Sequence, residues 1–400
     1  MMWYNSNAQT MKTFFLLCLV TCMFLYCGLQ IFKIEDLKMH YAKTKELKKE
    51  EMNEEENVRD LIELEHKKLA EPRLEVLHNF KYPIYQPSEP AEFPHVVNGT
   101  IRIPHIIHQI CNTASIPDNF LLAMRSFVKY NPTWEYRFWT YKSGHNFLRK
   151  YHPYLVDIYD SFGENDVKKS DLLRLAVLYE YGGVYADLDV SNVRSLNITT
   201  TKYACIIPTE PFEHAGLLYR QEFVLTTSVL LCRPKHPFFE RLLLQLQIAR
   251  PRGHPVTTTG PAFLTGMYLK YNNITWSDVS VFIVNGTQSN APYFFKGHRD
   301  EENDDAIYIP NGQYFGDKID PSWINGAGEL KACGLTKETD IHTLRSCKEF
   351  ESRKAVRKEK LYTFTVHHWF HWWVQGEDFN KFLQTYDIKE VIPKAILFEE

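Results

Sequence analysis

One run constrains the fold of this chain more than any other: DVKKSDLLRLAVLYEYGGVYADLDV, residues 166–190. Its first part reads as an amphipathic helix with an apolar run of Leu172, Leu173, Leu175, Ala176, Val177 and Leu178. Asp171 and Arg174 interrupt that run three residues apart, so they share a helix face. A half-buried ion pair needs a reason: a bound sugar hydroxyl is one, a plain structural salt bridge the other. Gly182 and Gly183 supply the helix stop and the turn. A short strand follows. Its period of two puts Val184, Ala186, Leu188 and Val190 on one side, and Tyr185, Asp187 and Asp189 on the other. Two carboxylates at a strand end can hold a divalent cation, and such a cation can grip a diphosphate. About one Asp-x-Asp is expected by chance in a chain this long, so the surrounding helix carries the weight.

The chain has 400 residues and is 44% hydrophobic, enough for one large domain with accessories. Its net charge of −3, with no basic block outside a mixed-sign region, argues against a nucleic-acid partner. Thr13 to Phe32 carries no charge, and a helix of that length spans about 30 Å, a bilayer core. No small-x-small cleavage site follows it, so we read residues 13–32 as an uncleaved transmembrane signal anchor behind a short cytoplasmic tail, 1–12. Residues 33–95 read as stalk and linker, the Lys/Glu-rich part either a helical stalk or a disordered spacer. Lys and Glu are dense there, Leu37, Leu47, Val58, Leu61, Leu64 and Leu69 are loosely heptad-like, and a Pro-rich stretch closes it. Such a stalk offers a route to a homodimer. The folded body is expected over 96–390. Sequons at Asn98, Asn197, Asn273 and Asn285 all follow the anchor, which agrees with a lumenal body. Cys18, Cys22 and Cys27 lie in the apolar segment. Of the five cysteines beyond it, Cys333 with Cys347 and Cys205 with Cys232 are the disulfide candidates, and the odd number leaves one free or paired between chains. No Cys-x-x-Cys occurs, so a zinc ribbon is not indicated.

Strands are expected over 101–111, 134–140, 203–209 and 223–232, and helices over 119–130, 147–161 and 237–249. Alternation of this kind predicts an α/β architecture with a mainly parallel sheet, whose ligands sit at the carboxyl ends of the strands. Asp187 and Asp189 lie at such an end. TTTGPAFLT, residues 257–265, reads as a loop entering a helix. Its hydroxyls and N–H groups could hold an anion or a sugar, or could be a plain cap with Pro261 near the first turn. VHHWFHWWV, residues 366–374, is the densest His and aromatic cluster. As a strand it puts His367, Trp369, His371 and Trp373 on one face. As a helix it would group His367, His368 and His371 for zinc. The β-branched and aromatic content favours the strand. This run is either an aromatic core strand or a site wall, with His for metal or diphosphate and Trp for stacking. His105 and His108 in the first strand receive no role.

These residues resemble glycosyltransferase family 32, which includes the inositol phosphoceramide mannosyltransferases and the initiation-specific α-1,6-mannosyltransferases. The resemblance runs through IPHIIHQI (103–110), NPTWEYRFW (131–139), residues 169–190, TGPA (259–262) and the His-rich end at His367. It implies a GT-A fold, that is, a Rossmann-like nucleotide-sugar-binding α/β domain. It also implies a nucleotide-sugar donor, dependence on Mn²⁺ or another divalent cation, and retention of anomeric configuration. Asp187 and Asp189 match the family's Asp-x-Asp pair, Asp189 directly on the metal and Asp187 nearer the ribose or sugar. Asp171 and Arg174 match donor-sugar residues, with Arg174 also able to add positive charge beside the leaving diphosphate. Tyr185 matches a neighbour of the ribose. His367 and His368 match the His-His of the family's end pattern and join the candidate metal ligands. Gly260 and Trp373 complete the candidate donor-binding set. The chain departs from the pattern where His371-Trp372 replaces Gly-Ser, and where the first strand ends in Cys111 rather than Trp. The expected activity is transfer of mannose from GDP-mannose to a glycolipid or glycan acceptor, in the Golgi, by a single-pass type II membrane protein. A UDP-sugar transferase (galactose, glucose or N-acetylglucosamine) and a catalytically silent lumenal binding protein are the alternatives. The intact set of Asp171, Arg174, Asp187 and Asp189 weighs against the silent one. No separated acid pair suggests a glycosidase, and no enzymic nucleophile stands out.

Overall fold

The structure is a computed structural model that describes residues 93, 99–221, 223–276, 304–310, 312–316, 318–320, 342–343, 346–347, 362–371 and 383–398. The expected tail 1–12, anchor 13–32 and stalk (apart from Phe93) lie outside the described residues, as do Asn98, Asn285, Cys333 and Trp373. Among the described residues no helix is long and apolar enough to cross a membrane.

In chain order the described strands are β1 (Ile106–Cys111), β2 (Ser115–Pro117), β3 (Glu135–Thr140), β4 (Gly183–Ala186), β5 (Val190–Asn192), β6 (Cys205–Ile206), β7 (Val229–Cys232), β8 (Thr365–His367), β9 (Thr385–Asp387) and β10 (Ile396–Leu397). The helices are α1 (Leu121–Tyr130), α2 (Tyr141–Tyr151), α3 (Val156–Ser161), α4 (Asp166–Tyr181), α5 (Phe212–Tyr219), α6 (Pro237–Ala249), α7 (Pro255–Thr258), α8 (Pro261–Tyr271) and α9 (Ile388–Val391). The main sheet has the order β10-β3-β1-β4-β7-β6. Parallel neighbours need a crossover. The chain supplies one through α1 between β1 and β3, and one through α2 to α4 before β4. β10, β3, β1 and β4 are parallel to their neighbours, while β7 pairs antiparallel with both β4 and β6. β7 alone therefore runs against the rest of a mainly parallel sheet.

The site depends on how α4 hands the chain to β4. Asn165 caps the helix by accepting a hydrogen bond from the Lys168 N–H at 3.1 Å. Leu172, Leu173, Leu175 and Leu178 are buried because α4 lies between β1 and helices α2 and α6. Each buried leucine contributes roughly 1.5–3 kcal/mol, which offsets the desolvation of the two charges on the same helix. The helix ends as the Gly182 N–H bonds the Leu178 carbonyl. Gly183 has φ +100°, and a Cβ there would stand 2.5 Å from the Ile106 carbonyl oxygen of β1, so only glycine fits. Beneath this turn, the Trp139 indole N–H donates to His108 Nδ1 at 3.1 Å, and His108 Nε2 meets the Gly182 carbonyl at 2.9 Å. Burial pushes the His108 pKa down to about 3, so the ring is neutral and carries its proton on Nε2.

Two expectations need correction. The strand of 183–190 stops at Ala186. The Val190 N–H bonds the Asp187 carbonyl at 3.1 Å, closing a tight turn, and β5 then joins β8 in a second sheet. Asp187 and Asp189 therefore come together through a turn and not through strand alternation. The His and aromatic run is a strand only to His367. Trp369 and His371 take left-handed backbone (φ 59° and 50°), which excludes both the long strand and the helix over the described part of that run. Elsewhere α6 occupies its expected residues, β1, β6 and β7 are shorter than expected, and the helix expected over 147–161 is split at Pro153 into α2 and α3. Cys205 and Cys232, register partners across β6 and β7, form a disulfide. Cys347 is also disulfide-bonded, and Cys111 is a buried free thiol.

Candidate active site

Asp187 is held from the α4 side. The Arg174 guanidinium donates to the Thr227 carbonyl at 2.8 Å and to Ser170 Oγ at 3.0 Å. It lies 3.3 Å from Asp171 Oδ1 and 3.4 Å from Asp187 Oδ1, with its centre 4.7 Å from the Tyr185 ring centroid. The Tyr185 hydroxyl donates to Asp187 Oδ1. The Thr259 hydroxyl donates to Asp171 Oδ2 at 2.6 Å. Asp171, Arg174, Tyr185 and Thr259 are all buried, so this is a sealed network. The main chain of Asp187 is also fixed: its N–H donates to the Ser228 carbonyl, and Gln109 Nε2 donates to its carbonyl at 3.2 Å. Gln109 is itself aligned by the Tyr136 hydroxyl.

Asp189 is held from the opposite side by the C-terminal segment. His367 Nε2 lies 3.2 Å from Asp189 Oδ1, and the Phe370 N–H donates to Oδ2 at 3.0 Å. The His368 N–H donates to the Asp189 carbonyl at 2.9 Å. The His368 ring, however, points to Ser191 Oγ at 2.6 Å. His368 thus contributes its backbone, while its ring stays apart from the carboxylates.

One ligand atom each from Asp187, Asp189 and His367 lie within 4.8 Å of one another. Atoms sharing a cation at about 2.1–2.5 Å are spaced on that scale. Two carboxylate oxygens and one imidazole suit a hard divalent ion such as Mn²⁺. The charge pattern fits as well. Burial, reinforced by the like charge of Asp189, holds the Asp187 pKa above the usual carboxylate value against the pull of Arg174. Desolvation opposes the Asp189 charge as well, but His367 outweighs it and holds its pKa down. Burial opposes the His367 charge, and Asp189 and then Asp187 overcome it, so the His367 pKa is raised. At Arg174 burial opposes the charge, yet Asp187, Tyr185 and Asp171 together hold its pKa above the usual value. A bound cation would relieve the repulsion between the two aspartates. The other three-ligand group among the described residues, Cys205, Cys232 and His236, has both sulfurs in the disulfide.

The 257–265 loop is arranged differently from the anion cradle considered above. Thr257 and Thr258 hydroxyls donate to the His254 carbonyl, and the Gly260 N–H donates to the Pro255 carbonyl at 2.9 Å. Gly260 precedes the first turn of α8, where it follows Thr259, the residue that reaches Asp171. Trp373 lies outside the described residues. Sequence reasoning assigned no role to Gln109, Thr227, Ser170 or Glu210. Glu210 lies beside the buried His214, whose Nδ1 is 3.5 Å from its carboxylate. Burial raises the Glu210 pKa, but His214, with help from His367, brings it below the usual value. Gln109 was visible within the 103–110 motif, but nothing in the chain order pointed it at Asp187.

Residues 117–206 match the glycosyltransferase sugar-binding region containing a DXD motif. Inositol phosphoceramide mannosyltransferase 3 of Schizosaccharomyces pombe is 28% identical over 208 residues, covering 50% of this chain and 55% of that protein. Mannosyl phosphorylinositol ceramide synthase CSH1 of Saccharomyces cerevisiae is 27% identical over 183 residues, covering 44% of this chain and 45% of that protein. The chain spans about half the length of these relatives. Among solved structures, the PaToxG glycosyltransferase aligns with a TM-score of 0.35 and 16% identity, over 46% of this chain and 73% of that one. Residues 117–206 thus resemble a DXD-type glycosyltransferase sugar-binding region, and the resemblance to the inositol phosphoceramide mannosyltransferases stands.

Proposed function

We propose that the chain is a metal-dependent, retaining glycosyltransferase of the GT-A type. It moves mannose from GDP-mannose to a glycolipid or glycan acceptor in the Golgi lumen, anchored as a single-pass type II membrane protein whose stalk offers a dimer contact. The observation that carries this reading is the convergence of Asp187, Asp189 and His367 at the end of β4, with Arg174 pinned directly behind Asp187. Asp189, Asp187 and His367 would hold the divalent cation. When bound, that ion supplies positive charge beside a leaving diphosphate. Asp171 and Arg174, both buried, act on the donor sugar through Asp187, whose side chain is 27% exposed, and Tyr185 aligns Asp187. In the transfer, the bond from the sugar C1 to the diphosphate oxygen breaks with its electron pair leaving on the nucleotide. The acceptor oxygen bonds C1 from the face the nucleotide left, and its proton passes to the departing oxygen or to solvent. The names of the mannosyltransferase relatives support mannose as the sugar.

The test is nucleotide release by the purified full chain in detergent, with Mn²⁺ and a panel of GDP- and UDP-sugars. The double variant Asp187→Asn, Asp189→Asn is the control. Release from GDP-mannose, lost in the variant, is the expected result. Release from a UDP-sugar alone would replace the donor, and no release and no Mn²⁺-dependent donor binding would overturn the reading.

A further inference from the structure

The segment that holds Asp189 is bent in a way that needs support. Trp369 and His371 both have left-handed backbone, which costs a non-glycine residue on the order of 1–3 kcal/mol and persists only where the surroundings enforce it. Phe370 stands between them and gives its N–H to Asp189. The enforcing contacts are specific. His371 Nε2 meets Asp320 Oδ2 at 2.7 Å, and the Asp320 side chain is only 3% exposed. The Asp320 N–H donates to His214 Nε2 at 3.2 Å, which leaves the His214 proton on Nδ1, facing Glu210. Trp369 donates its indole N–H to the Lys318 carbonyl at 2.8 Å. Its ring lies 3.9 Å from the His367 ring centroid and 4.7 Å from that of His214. Residues 318–320 thus grip the turn at both left-handed positions, on either side of the N–H that touches Asp189.

We infer that Asp320 and His371 are positioning residues: their pair clamps the 367–371 turn, so that His367 and the Phe370 N–H aim the Asp189 carboxylate at a divalent cation. The inference rests on the cation reading of the site given above. Neither residue reaches Asp189 itself in the contacts described. Their effect passes through the backbone between them and Asp189.

The experiment titrates Mn²⁺ into the full chain in detergent, with free ion read by electron paramagnetic resonance, for the parent chain, His371→Gln, Asp320→Asn and the double variant. Thermal melts run alongside. Each single variant should weaken Mn²⁺ binding roughly 10-fold, the scale of outer-shell changes at metal sites. The double variant should weaken it no further, because both changes break one pair. His371 is 31% exposed on its side chain, so His371→Gln should melt close to the parent. It decides the matter alone if Asp320→Asn does not fold. Parent-like Mn²⁺ affinity in His371→Gln, or lower melting without weaker binding, overturns the inference while leaving the cation site intact. Failure of the parent chain to bind Mn²⁺ removes the cation reading, and the inference falls with it.

Discussion

Asp187 and Asp189 are two residues apart, yet they are supported by differently made flanks. Arg174, Tyr185 and Asp171, all from α4 and β4, surround Asp187, and the main exceptions, Thr227 and Thr259, close the same sealed pocket. Asp189 leans on Phe370, 181 positions away, and on its neighbour His367. The side chains of the first flank, which surround Asp187, come mainly from α4 and β4 and are largely buried. The second exists only once a distant segment has docked, and its parts are partly exposed. Buried local support governs whether the fold survives, whereas distant support governs where a carboxylate points.

That contrast can be broken at several places. Arg174→Met leaves Asp171 and Asp187 without their shared cation, and stability should fall by about 3–5 kcal/mol. A denaturant melt showing under about 1 kcal/mol would mean the inner flank is not sealed. Asp189→Asn should do the opposite. Donor turnover should drop roughly 10²–10³-fold, about 3–4 kcal/mol of barrier, with the melt little changed. Acid should attack the inner flank through His108. Its folded pKa, about 3, lies below its ordinary 6.5, so the unfolded chain takes up the proton first. The stability is present above pH 6.5 and drains away as pH falls toward about 3. The loss should reach about 2–3 kcal/mol over the first two pH units below 6.5. His108→Gln, which keeps a donor and an acceptor, should flatten that limb in melts at successive pH values. An unflattened limb would place the acid sensitivity elsewhere. Thr259→Val is the smallest change. It removes one hydrogen bond to a buried carboxylate, worth about 1–2 kcal/mol in urea melts, and should leave Mn²⁺ affinity unaltered.

The same contrast explains what the sequence revealed. The helix, the double glycine, β4 and the pairing of Asp171 with Arg174 follow from spacing within one run, and all were legible. So was the direction of most of the sheet, from the alternation of strands and helices. The reversal of β7 was not, because nothing in its four residues, VLLC, distinguishes a parallel from an antiparallel neighbour. The turn at Asp187–Asp189 was hidden because the pattern Val184, Ala186, Leu188, Val190 continues the strand period through it. His367 and His368 looked equivalent in sequence. Only the pairing of Val190 with His367 decides which ring faces the carboxylates. Gln109 stood within the 103–110 motif, but it and Asp320 meet their partners only when distant segments close, whereas Glu210 and His214 are four residues apart and were open to a spacing argument.

β10 has a further consequence. It pairs Ile396 with Arg137 and Leu397 with Phe138, covering the outer side of β3. Without those two residues, the ladder along Glu135–Thr140 would present unpaired amides and carbonyls, an open template for a second copy of the chain. A protein shortened there would keep both aspartates and every contact to them, and would be lost to aggregation rather than to chemistry.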